Sequence, residues 1–579
     1  MGRDDIISRC DVEDMIAQGN IITIYNGKVI KMNKWIERHP GGDLLVRHFI
    51  GRDSSLEIEV HHSDETMKFM EKFVIGRVQL PWDSFVPPIQ GGVFRTKEQQ
   101  LAESQFDEGV SLTPPDAEVC SSGCDKTSKV PSLKEAVEST QPKTYNEARD
   151  KFVEEIESEE LKRDLERYPS LDHETQDFVI SEFRALHQKM KDLNMFQCNY
   201  WGYFREFCRI SLLTSISFYL LSKKWYFWSS VFLGLAWHQL TFIAHDCGHQ
   251  ELTHNYQVDN IVGILVANFL GGLSLGWWKN NHNIHHVVTN DPVHDPDIQH
   301  LPFFSVSTKL FTDVYSSYYQ KIIAYDAFAK FLIRFQNYTY YPILCFGRFN
   351  LYRLSWDYLL RGKGPKKGES AWFRYFEIVA LLAWFYWYAI ILVGRYVDGG
   401  WNKFMYVMIS HFCTMPVHAQ ITLSHFAMST ADIGMAECFP QRQLRTTMDV
   451  DCPWYFDYVH GGLQFQAIHH LFPRMPRHNY RQAQPYIIEY CKKTGLEYVI
   501  YGFTKGSGVV ISRLEEIANQ AKILAHVTSH LQEEAFEHIA GQIDQEKKNE
   551  ELAAAVEKKR IEQRNLEAAN RANAAAVGM

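Results

Sequence analysis

The sequence lacks several features that would place the protein in a common class. Its start, MGRDDIISRC, has no apolar run, so we expect no signal peptide, and Ile6 stands where a myristoylation motif needs Ser or Thr. The 11 cysteines show no paired spacing, which argues against a disulfide framework and favours reduced thiols in a cytosolic setting. A net charge of −9 is mild for 579 residues and gives no reason to expect a nucleic-acid partner.

The chain instead has an apolar, aromatic middle between polar ends. Residues 1–80 alternate short strand-like and helical runs, which predicts a small α+β domain. Residues 81–170 are rich in Pro, Ser, Glu and Lys and predict a mostly disordered linker. Residues 171–510 carry the apolar runs, beginning with a helix for which Asp172 is a capping candidate. Residues 511–579 are rich in Ala, Glu and Lys and predict a polar helical tail.

Four apolar runs have lengths close to the ~20 residues that span a bilayer. They are residues 207–222, 225–244, 378–394 and 404–424. A fifth run at 257–278 is weaker and contains Gly271, Gly272 and Gly276, which predicts a re-entrant or interfacial segment. The segment 279–370 is rich in Lys and Arg, so the positive-inside rule puts it in the cytosol. Four crossings then leave the N-terminus and the C-terminal part on that same side.

Two histidines in the first 80 residues indicate a heme site. His39 lies in KWIERHPGGD, His62 follows in GRDSSLEIEVHHSDE, and FVIGRV closes the unit. This pattern resembles the cytochrome b5 domain. The resemblance implies heme b with His39 and His62 as axial ligands, and the spacing to FVIG favours His62 over His61. A heme saturated by two imidazoles has no open position, so it only passes single electrons.

Three histidine clusters lie at the cytosolic ends of the apolar runs. On a helix, residues at i, i+3 and i+4 share one face, so each cluster presents its rings in one direction. A single pair of histidines with this spacing is usually hydrogen-bonded within the protein. Three such clusters beside apolar, membrane-spanning runs instead indicate a metal site. The clusters are HDCGH with His245 and His249, HNIHH with His282, His285 and His286, and QAIHH with Gln466, His469 and His470.

The number of histidines indicates which metal they bind. Zinc needs only four ligands, so seven or more converging imidazoles suggest two metal ions. An electron donor on the same chain selects a redox metal, and we therefore expect two iron ions.

The three clusters resemble the histidine boxes of the membrane fatty-acyl and sphingolipid desaturases. Gln466 in the leading place of the third box, together with the fused cytochrome, is similar to the front-end subgroup, and Gln466 is expected to act as a weak ligand or a supporting group. VHDPDIQH resembles the family's acidic follow-on, so Asp295 and Asp297 are expected either to support the ligands or simply to cap the loop.

The family also uses a histidine from its last spanning segment. His411, His418 and His425 recur every seven residues, about 10 Å of helix rise, and His425 at the cytosolic end is the expected ligand. The same spacing places His238 in the membrane below His245. We expect either helix–helix hydrogen bonds or a substrate cavity from the polar side chains at this depth, which are His238, Gln239, Thr241, His418, Gln420 and Thr422.

The resemblance implies a multi-domain oxidoreductase of the endoplasmic reticulum membrane. A small α+β cytochrome b5-like domain precedes an α-helical membrane domain with about four transmembrane helices and a cytosolic histidine-box cap. An NADH-dependent cytochrome b5 reductase would supply electrons, O2 would be the co-substrate, and no side chain beyond the metal ligands would be catalytic.

The substrate is indicated by two short segments. YPSLDHETQ and QCNYWGY resemble the fungal sphingolipid Δ8-desaturases, which implies desaturation of the sphingoid base in ceramide. A front-end desaturase of phospholipid or acyl-CoA, a di-iron lipid hydroxylase and a non-catalytic heme tether are the alternatives.

Overall fold

The computed structural model describes residues 2–107 and 145–530, and a few single positions further along the chain. Described residues within 2–107 and 155–519 form one compact unit, and residues 145–154 and 520–530 belong to a second. The central part of the predicted linker, 108–144, and most of the predicted tail beyond residue 530 lie outside the described residues.

The N-terminal part is an α+β domain, as predicted. Its antiparallel sheet has the order β1-β2-β3, and the β1–β2 turn is Asn26-Gly27, whose φ angles of 48° and 70° suit a two-residue hairpin. Ile22, Ile24 and Val29 lie in its core. The elements are β1 Ile22–Tyr25, β2 Lys28–Lys31, β3 Val74–Arg77, α1 Arg9–Ala17, α2 Asp43–Arg47, α3 Ser55–His61 and α4 Asp64–Met70.

Helices dominate the rest of the described chain. They are α5 Lys97–Asp107, α6 Tyr145–Arg167, α7 His173–Asp192, α8 Tyr200–Ser222, α9 Tyr226–His249, α10 Tyr256–Ile264 continued by a π-helix Leu265–Leu270, α11 Leu275–Val287, α12 Ala327–Ile333, α13 Gln336–Leu344, α14 Gly347–Arg361, α15 Phe373–Phe385 continued by a π-helix Tyr386–Tyr396, α16 Gly400–Phe412, α17 Met415–Phe426, α18 Phe439–Thr446, α19 Asp457–His460, α20 Gln466–Leu471 and α21 Tyr480–Thr494. Residues 503–530 are also helical.

Short strands and turns connect these helices. β4 Val314–Ser316 pairs antiparallel with β5 Lys321–Ile323, and β6 Asp449–Asp451 pairs parallel with β7 Ile500–Gly502. Single 3-10 turns lie at Ile36–Arg38, Glu71–Phe73, Pro88–Gln90, Thr308–Phe311, Trp454–Phe456, Leu463–Phe465 and Arg477–Asn479.

The cap predicted for α7 is present. The Asp172 carboxylate accepts a hydrogen bond from the Thr175 backbone N–H at 2.9 Å, which satisfies one of the free donors at the helix start.

The apolar runs form helices, but they differ in character. Within the described residues, only Phe373–Tyr396 is long and apolar enough to cross a membrane by itself. The fifth run bends by 114° between Tyr256–Leu270 and Leu275–Val287, and Gly272 is required there because its φ is +76° and a Cβ would lie 2.4 Å from Trp384.

The predicted count of four spans stays a prediction. The first two predicted runs lie in α8 and α9, of 23 and 24 residues, and α8 carries Arg205, Glu206 and Arg209. The fourth run is interrupted between Phe412 and Met415, so it forms α16 and α17 rather than one helix. His411 therefore lies on a different helix from His418 and His425, and the predicted single stripe of three histidines is broken.

Two buried arginines join distant segments around the helices. Arg477 forms 2.5 Å ion pairs with Asp246 on α9 and Glu206 on α8. Arg445 on α18 is 1% exposed and makes a two-pronged contact with Glu437, at 2.8 and 2.9 Å. These charges are stabilising as complete pairs only, since removal of one partner leaves the other charge buried and unpaired.

We expect Arg445→Met to lower stability by ~3–5 kcal/mol, because the Glu437 carboxylate would remain buried without its partner. The apparent Tm of the detergent-solubilised protein measures this. Arg361→Met is the matched control, since the Arg361 side chain is 71% exposed in its pair with Asp357 and surface pairs contribute little. Equal Tm changes for the two variants would contradict the role given to Arg445.

Candidate functional site

His39 and His62 face each other in the N-terminal domain. Their ring centres lie 6.1 Å apart. The Nδ1 atom of His39 is 3.2 Å from the Gly42 carbonyl and that of His62 is 3.1 Å from the Ile58 carbonyl, which leaves each Nε2 as the free ligand atom. Burial lowers the pKa of both imidazoles to about 4, so both are neutral at physiological pH.

The spacing of these rings fits one iron between them. Metal–nitrogen bonds of roughly 2.0–2.1 Å on both sides would put two imidazole centres about 6 Å apart. The neighbouring His61 has a different position. Its Nδ1 is 2.9 Å from the Glu57 carbonyl and its ring lies 6.0 Å from that of His286, at the end of α11.

All eight histidines named as metal ligands come together in the described structure. A first group has ring nitrogens within 4.8 Å of one another and consists of His245, His249, His282 and His469. A second group within the same limit consists of His285, His425 and His470. His286 lies between them, with its Nε2 3.1 Å from that of His282 and its ring stacked 4.2 Å from that of His470.

The helices explain how the sequence brings these rings together. His245 and His249 end α9, the three histidines of HNIHH end α11, His425 lies near the end of α17, and His469 and His470 lie on the short helix α20. Each helix therefore delivers its imidazoles at one end, to a common buried point.

The nitrogen atoms of this cluster fit metal ions. The Nε2 atoms of His245, His249, His469 and His470 are buried and have no hydrogen-bond partner among the described residues. A buried polar atom without a partner is costly, and a metal ion removes that cost for several nitrogens at once.

The opposite ring nitrogens are held by the protein. His285 Nδ1 lies 2.8 Å from Asp295 Oδ2, His469 Nδ1 lies 2.9 Å from the Tyr480 hydroxyl, and His470 Nδ1 lies 2.8 Å from Gln443 Oε1. Such contacts fix the ring orientation and leave Nε2 for the metal.

Asp295 combines the two roles that the sequence left open. Besides contacting His285, its carboxylate accepts hydrogen bonds from the backbone N–H groups of Asn290 and Asp297, both at 2.8 Å, so it also caps the loop. The Asp297 carboxylate accepts from the Asn281 amide and lies 3.7 Å from His282 Nδ1.

Gln466 starts α20 and is buried, and its Oε1 atom has no partner among the described residues. Gln443, Tyr480 and Thr289 were not identified from the sequence. Gln443 accepts from Thr289 as well as contacting His470, and its amide donates to the His286 carbonyl at 2.9 Å. No spacing in the sequence relates Gln443 to the histidine boxes, because it lies on a separate helix.

The polar side chains proposed to line a substrate cavity mostly have protein partners. His238 Nε2 lies 2.9 Å from the Val459 carbonyl, and the Gln239 amide donates to the Tyr458 carbonyl at 2.9 Å. Gln420 Oε1 lies 2.6 Å from His460 Nδ1. These side chains connect α9 and α17 to residues 457–463, which agrees with the simpler interpretation as structural hydrogen bonds.

The remaining three members of that set differ. Thr241 and Thr422 donate to carbonyls of their own helices, those of Trp237 and His418. The His418 Nε2 atom is buried without a partner among the described residues. Two members of the set therefore have a buried polar atom without a partner among the described residues, His418 Nε2 and His238 Nδ1.

Comparisons with known proteins agree with this arrangement of sites. Residues 8–79 match the cytochrome b5-like heme/steroid binding domain, and residues 223–502 match the fatty acid desaturase family. A Delta 8-(E)-sphingolipid desaturase of Lachancea kluyveri is 50% identical over 557 residues, covering 92% of this chain and 96% of the relative. That of Candida albicans is 47% identical over 576 residues, covering 92% and 99%.

A more distant relative is the acyl-lipid (9-3)-desaturase of Borago officinalis. It is 34% identical over 350 residues, which cover 59% of this chain and 76% of the relative. The resemblance noted in the sequence is thereby confirmed, and this chain belongs to the fatty acid desaturase family, in the group that carries an N-terminal cytochrome b5-like domain and includes these Delta 8-(E)-sphingolipid desaturases.

Proposed function

We propose that this protein desaturates the Δ8 position of the sphingoid base in ceramide, with O2 as co-substrate and with heme b and two iron ions as cofactors. Two neighbouring methylene groups each lose one hydrogen atom. With two electrons and two protons from the donor, O2 is reduced to two water molecules. The relatives that match nearly the whole chain support this substrate, since they are named as Delta 8-(E)-sphingolipid desaturases.

The observation that carries the proposal is the pair of buried histidine groups, in which the Nε2 atoms of His245, His249, His469 and His470 have no partner among the described residues. Bound there, two irons supply the activation of O2 that removal of hydrogen from an unactivated methylene requires. The residues around the two groups orient the histidine rings. Asp295, Gln443 and Tyr480 each contact the Nδ1 atom of one imidazole and so fix the ring. Gln466 presents a buried amide oxygen beside His469 and His470.

His39 and His62 hold the heme that delivers electrons one at a time. An NADH-dependent cytochrome b5 reductase reduces this heme. The protein is a multi-pass protein of the endoplasmic reticulum with about four spans, and the heme domain and the histidine cap face the cytosol. The Lys- and Arg-rich segment 279–370 supports this orientation.

The acyl desaturase of Borago officinalis favours one second candidate, desaturation of the acyl chain of a phospholipid or acyl-CoA. A hydroxylase would use the same metal ligands. The histidine boxes are complete, which argues against a non-catalytic heme tether. Of the predicted cavity residues, we assign the lipid contact to His418, because its Nε2 atom has no partner among the described residues. His238 also has an unpartnered ring nitrogen, Nδ1, but its Nε2 atom already contacts the Val459 carbonyl.

The heme ligands are tested by His39→Ala and His62→Ala. Each removes one axial imidazole, so the six-coordinate heme spectrum should be lost while two non-heme irons per chain remain by metal analysis. Activity should fall to the level that a separate cytochrome b5 can support. His61→Ala should keep the spectrum, and the reverse result for His61 and His62 would show that the ligand assignment is wrong.

Gln466→Ala should lower turnover by about 10–100-fold, as loss of a supporting group at a metal site does. Gln466→His should retain more activity, because it restores a ligand atom at the same place. Turnover per iron measures both. Normal turnover and normal iron content in Gln466→Ala would remove this residue from the site.

The substrate is tested by expression in a host that has ceramides without Δ8 unsaturation. We expect new unsaturation in the long-chain base by mass spectrometry, and none with His470→Ala, which lacks a ligand of the second histidine group. Unsaturation confined to glycerolipid acyl chains would favour the second candidate, and a new hydroxyl group would favour a hydroxylase. A purified protein with heme iron alone would indicate the tether.

A further inference from the structure

The helix α3, which ends immediately before the proposed heme ligand His62, packs against the part of the chain that carries the histidine groups. Leu56 and Val60 on α3 are 5% and 3% exposed and belong to one hydrophobic cluster with Phe439, Ile468 and Phe472. Ile468 lies on α20, beside His469 and His470. The end of α3 is therefore buried against the helix that supplies two of the cluster's histidines.

Charged pairs also join the N-terminal domain to later parts of the chain. Glu59 pairs with Arg184 at 3.2 Å, Asp64 pairs with Lys191 at 3.2 Å, and Glu37 pairs with Lys367 at 2.5 Å. In all three, the acidic residue is in the N-terminal domain, so the contact has complementary charge as well as an apolar centre.

One imidazole spans the gap between the two sites. His61 is the chain neighbour of His62, and its ring meets that of His286 edge to face, with centres 6.0 Å apart, a separation at which aromatic rings are in contact. Its Nδ1 is held by the Glu57 carbonyl. Its Nε2 is buried with no partner among the described residues, so hydrogen bonding within the domain accounts for only one of the two ring nitrogens.

We propose that His61 is the contact through which electrons pass from the heme to the histidine cluster. The route runs from the heme through His62, along the chain to His61, and across the ring contact to His286. One electron leaves the ferrous heme, which becomes ferric, and one ferric iron of the cluster becomes ferrous. No bond forms or breaks at His61, and no proton moves. The inference rests on the proposed function, since it requires both cofactors.

A second histidine pair at the same interface provides a matched control. The rings of His48 and His294 lie 5.6 Å apart, and the Nε2 atom of His48 is likewise buried without a partner in the described part of the chain. His48 is not adjacent to a heme ligand, however, and His294 belongs to neither histidine group. Loss of His48 should disturb the packing of the two parts in a similar way but leave the electron route intact.

The test measures electron transfer without product formation. The heme of the purified full-length protein, loaded with heme and iron, is reduced anaerobically with substoichiometric reductant, and stopped-flow absorbance follows its reoxidation by the ferric cluster. We expect His61→Ala to slow this step by about tenfold or more, a rise in barrier of about 1.4 kcal/mol or more. His48→Ala should leave the rate unchanged. Heme content, heme reduction potential and iron content should be unchanged in both variants.

Several results would overturn the proposal. An unchanged reoxidation rate in His61→Ala excludes the route, and an equal loss in both variants assigns the effect to docking. Loss of iron in His61→Ala would identify a metal ligand instead, and loss of heme would identify an axial ligand. His61→Gln replaces His61→Ala if that variant does not fold. Because no lipid is present, failure of this test is distinct from failure of the substrate assignment.

Discussion

The arrangement of the site depends on the burial of imidazoles whose Nε2 atoms have no partner among the described residues. Four Nε2 atoms at the centre of the fold are in this position among the described residues. Burial of unpaired polar atoms opposes folding unless a ligand satisfies them. Helices α9, α11, α17 and α20 all bring imidazoles to this one place, as expected for a fold that is completed by bound metal.

The surrounding residues determine where those nitrogens point. Asp295, Gln443 and Tyr480 each contact a ring from its Nδ1 side. Further out, Arg477 ties α9 to α8 immediately beside His245, through Asp246 and Glu206. Ligand geometry is thus set in layers, from ring nitrogens to hydrogen-bond partners to buried ion pairs, and each layer restricts the motion of the one inside it.

Local spacing predicted much of this site, and non-local packing accounts for what was missed. The shared faces of HNIHH and QAIHH follow from helix geometry, whereas His425 was expected from the family resemblance together with its position at the end of the run. Gln443 and Tyr480 reach the rings from other helices, and no pattern around them indicates a partner. The α+β start and the Asp172 cap were also predictable, because short-range signals determine them. The break between α16 and α17 could not be predicted from the sequence, because the run 404–424 continues through it with apolar spacing.

The shared cluster containing Leu56, Val60, Phe439 and Ile468 has a consequence for how the protein assembles. These four residues come from the N-terminal domain and from positions more than 370 residues later in the chain. Two parts that share a buried core tend to unfold together, and a ligand that binds only the folded form of one part stabilises both. Heme bound by the N-terminal domain is therefore expected to raise the stability of the part that carries the histidine groups as well.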